Sequence, residues 1–300
     1  MQKFFNELEE FLSSPQDRLS FLQKKLSEAG LETSVIQLKN KNHLFINFPS
    51  YCFNPQFKIR TIISHYDIVK ESKGANDNSA ACLMLINFAK KILERAKNGK
   101  FSNIRIWFTD GEEDGINGVS EQGSFELAEY LKEKNLQGDE VFVFDSCGRG
   151  TIPILAQSGL LFSSKNKSTV FARQFSLLYK KTIEILKNAC PHFWMTLPVP
   201  YSDNAGLLAQ GIPCVQLTFL PKDEATLYYN ELMKDKNLEK AVMNSTISSD
   251  NEFKFKYQEK LPYTWKLFHT KMDNILSLTK ESFPVLEKIF DELLIPEFNS

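Results

Sequence analysis

Residues 104–113 read Ile-Arg-Ile-Trp-Phe-Thr-Asp-Gly-Glu-Glu, a β-prone, mostly apolar run that stops on a turn carrying acids. The pattern recurs on either side of it. IRTIIS at 59–64 stops at His65, and VFVF at 141–144 stops at Asp145. CVQLTFL at 214–220 is a further apolar run. Runs so nearly continuous, rather than alternating, point to strands buried on both faces. Helical segments lie between them: 79–97, closed by Asn98-Gly99; FELAEYLKE after Ser124; and about 170–188. Strands alternating with helices of this length predict an α/β fold whose largely parallel sheet is covered by helices on both sides.

The flanks are consistent with this. FFNELEEFL and RLSFLQKKLSEAG read as a helical pair interrupted by Ser13-Ser14-Pro15-Gln16. TSVIQL at 33–38 and HLFINF at 43–48 read as a hairpin across Lys-Asn-Lys-Asn, and a last helix is expected over about 277–294. The most polar stretch, 233–260, reads either as a surface excursion or as an insert bordering a substrate site. One catalytic domain over 1–300 carrying that excursion is simpler than two domains.

Composition narrows the class. The 300 residues carry 36 Lys plus Arg against 37 Asp plus Glu, a net charge of -1, which offers no general nucleic-acid footprint. With 42% apolar residues the chain is neither disordered nor fibrous. Its five cysteines are scattered without CxxC spacing, against a disulfide scaffold or thiolate zinc knot. The N-terminus MQKFFNELEEFL is acidic and helical, unlike a secretory signal, and no run of 18 apolar residues suggests a membrane span. A cytoplasmic, reducing location is therefore expected.

Histidine is scarce, with four in the chain, so the position of each is informative. Strand ends of a parallel sheet are where ligands bind, and residues from different strands converge there. His65 is followed by Tyr66-Asp67; the imidazole suits a metal, and an Asp nearby can hold its other nitrogen. In Gly74-Ala75-Asn76-Asp77-Asn78-Ser79, Asp77 reads as part of an N-cap cluster and as a carboxylate able to bridge two cations; the two are not exclusive, since Asn78 or Ser79 could supply the cap. Glu112-Glu113 reads as a solvated turn, or as one ligand beside one general base. Asp145, after four apolar residues, is costly there unless paired or metal-bound. His269 in LFHTKMDN has Asp273 four residues on as a possible partner. Phe193, Trp194 and Met195 read as pocket wall or as core.

Taken in order, His65-Tyr66-Asp67, Gly74 to Ser79, Gly111-Glu112-Glu113, Asp145, Ser202-Asp203, and His269-Thr270 with Asp273 resemble the motifs of zinc aminopeptidases of the bacterial leucyl-aminopeptidase type, a family that also contains the glutaminyl cyclases. The resemblance spans roughly 60–275. It implies a three-layer fold with a mixed, mostly parallel sheet. It implies Asp77 bridging two zincs, His65 and Asp145 completing one site, and Glu113 and His269 the other. It implies Glu112 as general base and Asp67 orienting His65. The expected activity is hydrolysis of the N-terminal bond of short peptides or amino-acid amides, with no nucleic-acid or membrane partner and an open oligomeric state.

The chain departs from the family in places. Many members have His where Asn204 follows Asp203, which bears on substrate choice rather than metal binding. The segment from Gly115 to Gly123-Ser124 is longer than in many aminopeptidases, as it is in the cyclases. Because cyclases work with one zinc and need no attacking water, one zinc and pyroglutamate formation is the alternative, and a non-catalytic metal-binding protein is a third. Cys147 reads as a buried thiol or a pocket residue. Asp203, Asn204, Asp273 and Cys147 stand as candidates for the shell behind the ligands or for the pocket.

Overall fold

The computed structural model describes residues 1–160, 169–243 and 257–299. Among the described residues eight strands form one sheet: β1 (Glu32–Leu38), β2 (Lys41–Asn47), β3 (Arg60–His65), β4 (Ile104–Thr109), β5 (Glu140–Phe144), β6 (Ile152–Ala156), β7 (Met195–Leu197) and β8 (Cys214–Leu220), in the spatial order β1-β2-β4-β3-β5-β8-β6-β7. The central pairings β4–β3, β3–β5 and β5–β8 are parallel, while β2 joins β4, and β6 joins β8, in antiparallel fashion. The result is the expected three-layer α/β/α architecture with a mixed, mostly parallel sheet.

Burial follows the sequence pattern. Every residue of β3 and β8 is buried, whereas β1, at the sheet edge, keeps partly exposed residues throughout. Helix Ser282–Leu293 packs on both Ala80–Lys97 and Val170–Ala189, with Phe88 stacked on Phe290 at 4.6 Å between ring centroids. Helices Gly123–Glu133 and Asn204–Ala209 pack together as a separate pair. The pair must approach closely, because a side chain at Gly206 would run into Ser124 and Phe125.

Two strands depart from expectation. β6 contains Pro153, and β7 has three residues; β6 pairs on both sides, to β8 and to β7. Around them lies a second core of Ile152, Leu197, Val199, Leu220, Tyr228 and Trp265, with Tyr228 edge-on to Trp265. Helix Lys222–Lys234 runs into the polar stretch 233–260, of which 244–256 lie outside the described residues. Trp194 and Met195 pack against the cores, and Phe193 is exposed. Among the described residues, no helix is long and apolar enough to cross a membrane.

The N-terminal helices Gln2–Leu12 and Arg18–Glu28 contribute a buried cation. Arg18 donates to the Tyr66 carbonyl and, at 2.7 Å, to Ser79 Oγ, and its guanidinium lies 4.1 Å over the Phe11 ring. Burial pulls its pKa down to about 10 against the nearby acids. Arg18→Met strips buried acceptors of their donor, and a loss of roughly 2–4 kcal/mol is expected in denaturant unfolding.

Candidate metal centre

The parallel strands β3, β4 and β5 deliver their C-terminal ends to one rim. His65 is the last residue of β3, Asp145 follows β5 directly, and Glu112 and Glu113 follow the turn after β4. Gly111 makes that turn with φ of 74°, a conformation that glycine adopts without steric cost. The loop Ala75–Ser79 brings Asp77 in from before helix Ala80–Lys97, and His269 arrives from a turn late in the chain.

Asp77 lies between the two histidines. Its Oδ1 is 3.2 Å from His65 Nε2, and its Oδ2 is 3.6 Å from His269 Nε2. His65 Nε2 is also 3.6 Å from Asp145, and His269 Nε2 is 2.8 Å from Glu113. Among the described residues three overlapping clusters result: His65, Asp77 and Asp145; Asp77, Glu113 and His269; and His65, Glu112 and Glu113. The first two share Asp77. The third places Glu112 beside both groups without belonging to either.

The donor set fits a borderline divalent cation. Imidazole nitrogens and carboxylate oxygens are what zinc takes, and both His65 ring nitrogens are buried without a well-formed hydrogen bond. The clusters are consistent with one or two zinc ions. The electrostatics show how strongly the site is weighted toward anions. Burial pushes the Glu112 carboxyl well above the usual range, and Glu113, Asp145 and Asp203 add to it against the pull of His65. Burial and the Asp77 carboxylate raise Glu113 to about 7. The hydrogen bond from His269 to Glu113 lifts the imidazole to about 9, against its partial burial.

Two acids hold the loops rather than facing the cavity. Asp67 lies 3.4 Å from His65 Nδ1 and accepts from the main-chain N–H groups of Glu112 at 3.2 Å and Glu113 at 3.1 Å. It thus ties the end of β3 to the paired glutamates. Asp273 accepts from the main-chain N–H groups of Asn76 at 2.8 Å and Asp77 at 3.0 Å. Its carboxylate grips the Asp77 loop, where proximity in sequence pointed to His269. The N-cap reading of Asp77 finds no support, since the start of the following helix has no side-chain cap. Asn78 instead bonds Ser64 Oγ and the Phe144 carbonyl, bracing the loop on β3 and β5.

The remaining candidates are buried behind the site. Asp203 is wholly buried, accepts from Thr109 Oγ1 at 2.6 Å, and is raised to about 7 by burial. Asn204 donates to Ser158 Oγ and accepts from the Ser202 main chain. Cys147 is a buried thiol directed at the Asp145 and Leu217 carbonyls, its pKa driven up by burial. None of the three lines the cavity.

That cavity, of about 570 Å³, opens beside Asp77, Glu112, Glu113, Asp145 and His269. Its other walls are largely apolar, including Val199, Tyr201, Trp265 and Phe268. Ala241, Val242, Tyr257 and Gln258 also line it, so both described ends of the polar stretch border the site. Sequence reasoning missed Gln122, which lines the cavity and donates to Glu112 Oε1 at 3.0 Å. A lone Gln in a polar loop carries no local signal for such a contact.

Residues 56–293 match the sequence profile of peptidase family M28. The fold is similar to that of the LapA aminopeptidase of Legionella pneumophila, with TM-score 0.63 and 14% identity over 99% of this chain and 72% of that one. It is similar to a Zn-dependent exopeptidase from Parabacteroides distasonis, with TM-score 0.62 and 12% identity over 97% and 96% of the two chains. It is also similar to a glutaminyl cyclase from an Acidobacteriales bacterium, with TM-score 0.59 and 12% identity over 98% and 92%. At such identities the likeness is one of fold. No curated protein sequence matches the chain.

Proposed function

We propose that this chain, which belongs to peptidase family M28, is a zinc-dependent aminopeptidase that hydrolyses the first peptide bond of short peptides. The observation that carries the reading is Asp77, whose two carboxylate oxygens face different histidines, each backed by a further acid. His65, Asp77 and Asp145 would hold one zinc, and Asp77, Glu113 and His269 a second. Zinc, when bound, supplies positive charge that polarises a carbonyl and acidifies a water.

The chain's own groups do the rest. Glu112 is the general base: its Oε1 accepts from Gln122, which leaves Oε2 to take a proton from the attacking water and return it to the departing amine. Asp67 fixes the main chain at Glu112 and Glu113, so base and ligand keep their spacing. The carboxylate-rich rim offers an anionic end to a free α-ammonium. The cavity wall of Val199, Tyr201, Trp265 and Phe268 takes an apolar N-terminal side chain.

Peptides beginning with Leu, Met or Phe are therefore expected to be cleaved in preference to those beginning with Asp or Lys. N-acetylated peptides should resist cleavage, and chelation should abolish activity that zinc restores. A peptide with N-terminal Gln separates this reading from that of a cyclase. Release of free Gln and a shortened peptide is expected; release of ammonia with a pyroglutamyl product would replace the assignment. No turnover across a peptide library would leave a metal-binding protein without activity.

A further inference from the structure

Gln122 stands just before helix Gly123–Glu133 and is only 3% exposed. Its side-chain oxygen accepts from the Gly206 main-chain N–H at 3.1 Å and from the Ser124 hydroxyl at 2.9 Å. A main-chain N–H can only donate, so this amide cannot be turned over. Its nitrogen must face Glu112, where it lies 3.0 Å from Oε1 and 3.3 Å from the main-chain oxygen. Both amide protons thus serve one residue. Gly115 leaves the space for this arrangement, since a Cβ there would sit 3.1 Å from the Gln122 nitrogen.

Glu112 needs such a support. It lies among the carboxylates of Glu113, Asp145 and Asp203, which repel it. A Lys or Arg could hold it, but a fixed positive charge there would oppose cation binding a few ångströms away. A neutral amide holds the carboxylate without competing for its partners. Among the described residues, no other side chain donates to the Glu112 carboxylate.

We propose that Gln122 is a positioning residue that anchors Glu112 at Oε1 and at its main-chain carbonyl, so that Oε2 is the oxygen that exchanges protons. The inference rests on the reading of Glu112 as general base. Gln122 links that base to helix Asn204–Ala209 through Gly206, so the geometry of proton transfer depends on the packing of two helices that carry no metal-binding side chain.

The test is a double-mutant cycle on the zinc-loaded, full-length protein. Gln122→Met keeps length and loses both hydrogen-bonding functions; a fall in kcat of about 10–100-fold is expected, with KM within about threefold and zinc content unchanged. Glu112→Asp draws the carboxylate back by one methylene, out of reach of Gln122. In that background Gln122→Met should cost less than about threefold, because the contact to the carboxylate is already broken and only the one to the main-chain carbonyl is left to lose. A purely structural tether would cost the same factor in both backgrounds, and that result overturns the proposal. So does a Gln122→Met enzyme with kcat within about twofold of the parent, or one that has lost its zinc. Failure of the underlying reading shows separately: Glu112→Gln would then leave turnover intact.

Discussion

Glu112→Gln is expected to reduce kcat for peptide hydrolysis by roughly 10²–10⁴-fold, the range typical of removing a positioned general base. The substitution keeps size and shape, so packing beside the buried cavity wall is little disturbed. It removes the proton transfer proposed for Glu112. Glu112 lies in a cluster with His65 and Glu113 but outside the two clusters that share Asp77. Zinc content is therefore expected to stay at the parent level. The measurement pairs steady-state kinetics on a Leu-initiated peptide with metal analysis of the same preparation. Loss of turnover with metal retained supports proton transfer by Glu112. Loss of both would make it a ligand, and full retained hydrolysis would remove it from the mechanism. The main-chain N–H groups of Glu112 and Glu113 remain bound to Asp67 in the variant, so the turn itself should hold.

The elements that carry the clustered His, Asp and Glu side chains are those that the amino-acid pattern marks most clearly. β3, β4 and β5 are apolar runs ended by His65, the Asp110-Gly111 turn and Asp145, and burial on both faces explains why they lack alternation. His65 and His269 are conspicuous because only two other histidines exist, His43 and His192. What stays hidden is whatever tertiary contact alone creates. β6 contains Pro153, which lacks an N–H for the ladder, and β7 is too short for its pattern to show, so only their neighbours define them. Asp273 lies four residues from His269 yet holds the Asp77 loop, nearly two hundred positions away, through main-chain N–H groups that no side-chain motif reveals. Gln122 is hidden for the same reason, since its partners Glu112 and Gly206 meet it only in the folded chain.

Asp77→Ala should have the broadest effect on metal binding. Its Oδ1 faces His65 and its Oδ2 faces His269, so removing one carboxylate leaves each of the two clusters that share it with two side chains. Affinity at both positions should fall by more than the roughly 10–100-fold typical of a residue behind the ligands. Turnover should fall with it. His269→Ala provides the contrast: His269 is about half exposed, with 49% of its side chain accessible, and among these clusters belongs only to that with Asp77 and Glu113. That variant should keep the His65, Asp77 and Asp145 cluster and lose at most one ion. Zinc per chain after dialysis against a weak chelator separates the two cases. The loop should survive the change in Asp77→Ala, because Asp273 holds its main chain at residues 76 and 77 and Asn78 braces it on Ser64 and Phe144. Thermal unfolding of the dialysed variant should then match that of the dialysed parent, showing that the lost metal is a ligand effect. Parent-like zinc stoichiometry in Asp77→Ala would mean that the two histidines belong to separate sites, each complete without a shared carboxylate.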